Sequence, residues 1–181
     1  STAGALLPGL RKAQETRNFG IAQLTSSSCI PALNADIVST PGCRAMNDKV
    51  FSLVRQIKPD IVLLHGTWEK HLDNVAETVV ALKETNARVV VLGAVPAWPR
   101  GLPSEVLRYF ILHRALIPER SPSAVPPTAY DAVMRARLEP LGAEFISASD
   151  VFCNAQGCLT RIGDAAADIA VSDQVHITEK G

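Results

Sequence analysis

The sequence lacks net charge and lacks any long run of one sign. Eighteen Lys and Arg are balanced by eighteen Asp and Glu, so no basic patch is present to attract a nucleic acid. Long apolar runs are also missing, because the stretch over residues 88–98 is far shorter than the roughly 20 residues needed to cross a bilayer. The opening STAGALLPGLRK has its charges after the apolar part, unlike a signal peptide. We therefore predict one globular domain over residues 1–181, with no nucleic-acid partner.

Only four cysteines are present, in the local pairs Cys29 with Cys43 and Cys153 with Cys158. The second pair has zinc-knuckle spacing, but the first does not, and no His lies close to either. No glycine-rich phosphate loop occurs either, so we expect neither a metal nor another cofactor. Two disulfides closing short loops fit better, each contributing about 2–3 kcal/mol, with free buried thiols and zinc as the alternatives. Disulfides would indicate a periplasmic or extracellular protein.

Short β-branched runs alternate with amphipathic stretches along the chain. On the predicted helix at residues 69–85, one apolar stripe is formed by Leu72, Val75, Val79 and Leu82. Strands that read as continuous apolar runs are covered on both faces, as in a parallel sheet. This alternation of strands and helices predicts an α/β fold, a doubly wound three-layer α/β/α sandwich with a mostly parallel central sheet. The predicted strands are residues 19–25, 60–66, 87–96 and 143–148.

A proline-rich segment at about residues 96–130 interrupts this alternation of strands and helices and contains seven of the twelve prolines. It surrounds a short helical piece, SEVLRYFILHRAL, and follows the third predicted strand. Ligands of open α/β sheets bind beyond the carboxyl ends of strands, so the insertion is placed to form a wall of a pocket. A passive surface excursion is the alternative.

The two ends of the chain carry the residues with the strongest chemical interest. Ser1 directly precedes a predicted helix, where free backbone N–H groups and the helix dipole would favour a nucleophilic serine with a developing oxyanion. A plain helix N-cap or an expression remnant explains the same position. Near the other end, SDQVHIT separates Asp173 from His176 by three positions, which brings a carboxylate beside an imidazole on one turn. A cap for Asp173 and a surface role for His176 are the alternatives.

Seven pieces in this order resemble the SGNH (GDSL-like) hydrolase superfamily. They are STAGALLPGL, QLTSSSCIPAL, GCRAMNDKV, DIVLLHGTW, ARVVVLGAVPAWP, DVFCNAQGC and SDQVHITEKG. The similarity is greatest to the periplasmic SGNH domain fused to membrane-bound acyltransferase-3 proteins that O-acetylate bacterial glycans. It implies an SGNH/flavodoxin-like sheet, with a strand ending in Gly-Asp expected before Ser1 and a closing helix expected after Gly181.

The resemblance implies a catalytic triad of Ser1, His176 and Asp173. In such a triad the carboxylate fixes the imidazole tautomer, and the imidazole serves as general base and then as general acid. The reaction would be two-step acyl transfer through an acyl-serine, most simply of acetyl groups to or from glycan hydroxyls. The implied partners are a glycan or acyl-ester substrate and a membrane-embedded acyltransferase domain, on the same or another chain, that delivers the acyl group.

The superfamily's oxyanion donors have only approximate counterparts in this sequence. A backbone N–H at Ser27 or Ser28 stands where the second block usually has a Gly, and Trp68 stands at the expected Asn position. The Trp68 indole N–H is a single donor. Trp68 and Trp98 both follow predicted strands and could also stack on a sugar, with core packing as the alternative.

Three other functions are compatible with the same sequence. A free-standing secreted carbohydrate esterase would transfer the acyl group to water, and a non-catalytic glycan-binding domain would not use Ser1 at all. An N-terminal-nucleophile hydrolase would use the α-amine of Ser1 as its base, but the β–α alternation argues against its layered architecture.

Overall fold

The computed structural model describes residues 3–68 and 70–179. Within these ranges the chain forms two compact units. The first unit contains Leu24–Ala94 and Thr128–Ser147. The second unit contains the chain up to Gln23, Val95–Pro127 and the chain from Ala148 onward. No helix in the described ranges is long and apolar enough to span a bilayer.

The helices and strands are numbered in chain order. The α-helices are α1 (Leu7–Gln14), α2 (Cys43–Ile57), α3 (Leu72–Lys83), α4 (Leu102–His113), α5 (Thr128–Leu138) and α6 (Ala148–Phe152). The strands are β1 (Ile61–His65), β2 (Arg88–Leu92), β3 (Arg120–Ser121), β4 (Glu144–Ile146), β5 (Cys153–Asn154) and β6 (Gly157–Leu159). Short 3₁₀ turns at Ala3–Leu6, Glu139–Leu141 and Ala166–Asp168 complete the set.

A parallel three-stranded sheet in the order β1-β2-β4 organises the first unit. Its central strand, β2, buries Val89, Val90 and Val91 in succession. Because successive side chains point to opposite faces, three consecutive buried residues mean that both faces of this strand are covered. The α/β class predicted from the sequence is therefore confirmed.

Helices α2, α3 and α5 supply the apolar side chains that join this sheet in one core. The predicted stripe on α3 is present, because Val75, Val79 and Leu82 are at most 2% exposed and Leu72 packs against the same cluster. Burial of each such aliphatic side chain contributes roughly 1.5–3 kcal/mol. The stripe thus anchors α3 to the sheet.

The predicted strand at residues 19–25 is wrong. This segment is irregular in the structure, and both Phe19 and Leu24 are more than a third exposed. A strand exists only where a neighbouring strand accepts its ladder of hydrogen bonds, and this segment pairs with none of the described strands. The short β-branched run indicated an extended segment but carried no information about a pairing partner.

An antiparallel sheet of three short strands, in the order β3-β6-β5, marks the second unit. Strands β5 and β6 form a hairpin in which Cys153 pairs directly with Cys158. Gly157, the first residue of β6 after the turn, has φ +113°, a conformation that favours glycine. A second apolar cluster, around Trp98, Leu102 and Val171, lies in this unit.

Both predicted disulfides are present in the structure. Cys29 is bonded to Cys43 in the first unit, and Cys153 is bonded to Cys158 in the second. No cysteine is left as a free thiol. The Cys29–Cys43 bond ties the irregular segment after Ser28 to the first residue of α2.

Candidate active site

A tight turn at residues 172–176 brings Asp173 and His176 together. Asp173 Oδ2 lies 2.6 Å from His176 Nδ1, so the imidazole Nδ1–H donates to the carboxylate. Asp173 Oδ1 accepts two further hydrogen bonds, from the backbone N–H groups of Val175 and His176, each at 2.8 Å. One carboxylate therefore caps the turn and holds the imidazole, which unites the two interpretations that the sequence left open.

The surroundings of Asp173 favour its charged form. Burial raises the pKa of this carboxyl, but the backbone N–H groups of His176 and Val175, the imidazole hydrogen bond and the imidazole charge outweigh it. Together they lower the pKa of Asp173 from 3.8 to about 2. The side chains remain reachable by solvent, at 52% exposure for Asp173 and 42% for His176. At neutral pH the imidazole therefore faces a carboxylate from an accessible position.

The first residues of the proline-rich segment hold this turn in place. The backbone N–H of Trp98 donates to the Gln174 carbonyl at 2.9 Å, and the Leu102 N–H donates to the Asp173 carbonyl at 2.9 Å. The Gln174 side chain donates in return to the Pro99 carbonyl at 3.0 Å. Within the second unit, the segment predicted to be an insertion therefore supports the backbone of the Asp-His turn directly.

Ser1, the predicted nucleophile, lies outside the described residues. The predicted oxyanion donors Ser27 and Ser28 lie in an exposed turn of the first unit, where Ser28 has φ +56°. Ser28 accepts a hydrogen bond from the Thr40 hydroxyl through its carbonyl. Neither backbone N–H of the pair donates a hydrogen bond to another described residue.

The two tryptophans are buried, each only 1% exposed. Trp68 packs in the core of the first unit, and its indole N–H donates to the Leu92 carbonyl at 3.0 Å. Trp98 packs in the apolar cluster of the second unit. A buried indole presents no face on which a sugar can stack, and the Trp68 donor is already engaged. Core packing, the alternative considered for both residues, describes them in this structure.

His65 is a buried imidazole at the end of β1. Its Nδ1 lies 3.3 Å from the Leu92 carbonyl, while Nε2 has no hydrogen-bond partner among the described residues. Burial lowers the pKa of His65, and the hydrogen bond to Leu92 opposes this only in part. Nothing in the sequence indicates that one ring nitrogen of this histidine would lack a partner.

A buried polar pair escaped the sequence interpretation. Ser147, directly after β4, donates its hydroxyl to Asp131 Oδ2 at 2.5 Å, and both residues are 5% exposed. Gly93, which follows β2, leaves room for this pair, because a Cβ at Gly93 would lie 2.7 Å from Asp131 Oδ1. The available signal was an acidic residue in the first turn of α5, beside the strand ends where α/β proteins concentrate polar function.

A parallel sheet flanked by helices, together with an aspartate-capped histidine near the end of the sequence, defines an α/β protein with a carboxylate–imidazole pair. The chain belongs to the family described as the SGNH domain fused to AT3 domains, whose model matches residues 1–181. This confirms the resemblance drawn from the seven sequence pieces.

A solved structure shares this fold. It is the periplasmic domain of a lipopolysaccharide acetyltransferase from Salmonella ser. Paratyphi A, with a TM-score of 0.90 and 23% sequence identity. The similarity covers 99% of this chain and 75% of that one. Among curated protein sequences, none matches this chain significantly.

Proposed function

We propose that this chain is the periplasmic acyl-transfer domain of an enzyme that O-acetylates a bacterial surface glycan. The observation that carries the proposal is the 2.6 Å hydrogen bond between Asp173 Oδ2 and His176 Nδ1. This bond leaves His176 Nε2 as the unprotonated nitrogen, which is the state that a general base requires. Ser1 is the nucleophile in this proposal.

The family context supports the choice of substrate and partner. The family is described by its fusion to AT3 domains, and the similar structure is titled as a lipopolysaccharide acetyltransferase domain. By extension, an acyltransferase domain embedded in the membrane supplies the acyl group to this chain. The two disulfides are consistent with a periplasmic location, because such bonds persist in oxidising compartments.

The first half of the reaction forms an acyl-serine. His176 Nε2 takes the proton from Ser1 Oγ as that oxygen attacks the carbonyl carbon of the acyl donor. The tetrahedral oxyanion needs a backbone N–H donor, and the resemblance to the superfamily assigns this role to Ser27 or Ser28. The intermediate collapses, the bond to the donor's leaving group breaks, and that group receives the proton from His176.

The second half of the reaction transfers the acyl group. A glycan hydroxyl gives its proton to His176 Nε2 and attacks the acyl-serine, and the serine oxygen then leaves and recovers that proton. Asp173 stays ionised throughout and stabilises each imidazolium. If water takes the place of the hydroxyl, the same steps give free acid, which is the reaction of an esterase.

Acetyl transfer from a labelled donor tests the proposal. The intact protein is mixed with an isotopically labelled acetyl donor and candidate polysaccharides, and label is counted on the polysaccharide and in free acetate. We expect His176→Ala to lower label transfer by roughly 10³-fold or more, because both half-reactions need the base. Acid quenching followed by mass spectrometry should find acetyl on the peptide containing Ser1 in the unmodified protein.

The matched control is His113→Ala, which removes an exposed histidine at the end of α4 and should leave transfer unchanged. Undiminished transfer by His176→Ala would remove this residue from the mechanism. Label that appears only as free acetate, whatever polysaccharide is offered, would assign the esterase reaction instead.

A further inference from the structure

Helix α4 and the residues after it expose an unusual number of large apolar side chains. Eighteen such side chains are exposed in the described residues, and five of them fall within residues 107–116. Single exposed apolar residues are normal on a protein surface, whereas a cluster indicates a contact surface. The five, each between 48% and 65% exposed, are Leu107, Phe110, Ile111, Leu112 and Leu116.

These side chains are not the ones that attach the helix to its own unit. Leu102 is fully buried, and Val106 packs against the cluster that contains Trp98. Leu107, Phe110 and Ile111 have the spacing i, i+3 and i+4, which places them on one helix face. The helix therefore carries a second apolar face besides the one that its own core uses.

The charge of this exposed surface is positive. The only acid of α4, Glu105, is 12% exposed and pairs with Arg100 at 2.7 Å. Arg108 and Arg114 are exposed, and neither forms an ion pair with any residue in the described ranges. Long Arg stems can lie along an apolar surface while their guanidinium groups reach outward. The exposed face thus combines aliphatic and aromatic side chains with two available cations.

We propose that this face of α4, with Arg108 and Arg114, binds the surface of an anionic phospholipid bilayer. An apolar stripe of Leu, Ile and Phe beside Arg is the composition of helices that lie in the membrane interface, and the guanidinium groups complement the lipid phosphates. A second copy of the chain complements the face poorly, because a two-fold contact would oppose Arg108 and Arg114 with their own equivalents. The proposal does not depend on the triad, so membrane binding and acetyl transfer can fail separately.

Vesicle sedimentation tests this binding. The purified protein is mixed with vesicles of phosphatidylcholine and phosphatidylglycerol in equal parts, or with phosphatidylcholine alone, and the bound fraction is measured. We expect binding to the anionic vesicles that falls about 10-fold or more in Leu107→Glu, because the helix face loses an inserted aliphatic side chain and gains a charge. Arg108→Gln and Arg114→Gln should each weaken binding roughly fivefold on anionic vesicles only.

The matched control is Val151→Glu, which places the same charge at a 67% exposed position of the same unit and should leave binding unchanged. A second readout uses Ile111→Trp, which keeps a large apolar side chain at this position. The fluorescence of the new indole should be quenched by brominated lipid when the helix face inserts. Absence of binding to anionic vesicles, or equal loss in Leu107→Glu and Val151→Glu, would overturn the proposal. Self-association in solution that Leu107→Glu abolishes would overturn it as well, and would assign the face to a second copy.

Discussion

Replacement of Asp173 by Asn separates the two tasks of this side chain. The Asn carbonyl oxygen can still accept the N–H groups of Val175 and His176, which Asp173 Oδ1 accepts at 2.8 Å. The amide nitrogen, however, takes the place of Oδ2 opposite His176 Nδ1. Because an amide N–H₂ is a donor, the imidazole must present an unprotonated Nδ1 and carry its proton on Nε2. The variant therefore keeps the turn but holds the imidazole in the wrong tautomer.

Two magnitudes follow from this geometry. The fall in the pKa of Asp173 from 3.8 to about 2 would correspond to roughly 2.5 kcal/mol for a shielded carboxylate. The side chain is 52% exposed, so solvent screening reduces the expected loss of stability to about 1 kcal/mol. In serine triads, a change of tautomer lowers kcat by about 10⁴-fold, or roughly 5 kcal/mol of barrier. Activity should thus be affected far more than folding.

The pH dependence of stability has a definite sign. The folded pKa of Asp173 is lowered, so its contribution to stability is fully present above the ordinary pKa of 3.8. That contribution is lost as the pH falls from 3.8 through about 2, where the folded protein also takes up the proton. Asp173→Asn should therefore flatten the acid limb of the stability curve in this window and leave its shape at neutral pH unchanged.

Three measurements check the reasoning about Asp173. Acetyl-ester turnover gives the loss in kcat, urea unfolding at a series of pH values gives the stability, and carbon NMR of the carboxyl group gives its titration. Asp48→Asn, an exposed change on α2, is the matched control and should alter none of the three. Turnover within a few-fold of the unmodified protein, or a carboxyl that titrates near 3.8, would refute the role given to this carboxylate.

Two further predictions concern Gly101, which packs beside the Asp-His turn, and His65, which is buried at the end of β1. Gly101→Ala should lower the free energy of unfolding by about 1–3 kcal/mol in urea titrations, because φ +78° and ψ 134° are strained for alanine. The added Cβ itself would have room, since its nearest contact is the Asp173 backbone at 3.7 Å. Gly9→Ala, in α1 with open space around it, is the control and should not destabilise. Burial lowers the pKa of His65 below 6.5, so the neutral ring's stabilising effect is complete above that value and declines as the pH falls below it. His65→Gln should remove this part of the pH dependence of the free energy of unfolding. An unchanged slope of that free energy against pH would contradict the effect assigned to the burial of His65.

The sequence predicted the parallel sheet well because its signals are local. The apolar run in β2 is continuous and buried on both faces, which can be inferred without knowing the neighbouring strands. In β1 and β4 the runs are apolar enough to indicate strands, although Ile61, Leu63 and Ile146 are each more than a third exposed. Residues 19–25 failed for the opposite reason, since a strand depends on a partner that no local pattern specifies. The β5–β6 hairpin was missed, although Cys153 and Cys158 flank a short turn that is followed by Gly157.

The candidate site likewise has features that the sequence predicted and features that it could not predict. The contact between Asp173 and His176 follows from a spacing of three and was available from the sequence. The backbone hydrogen bonds that Trp98 and Leu102 make to this turn join residues more than seventy positions apart, and no pattern in the sequence links them. The burial of Trp68 and Trp98 is likewise set by packing, and so the sequence left stacking and core roles open for both.

The two oxygens of Asp173 explain why this position suits aspartate and no other side chain. Asparagine can cap the turn but has no charge to stabilise an imidazolium. Glutamate carries the charge, but its extra methylene moves the carboxylate away from N–H groups only two and three residues further along the chain. Because Oδ1 fixes the backbone and Oδ2 fixes the ring, the imidazole is oriented before any substrate arrives. The energy that orients it is thus part of folding, and the proposed acyl-transfer step does not have to supply it.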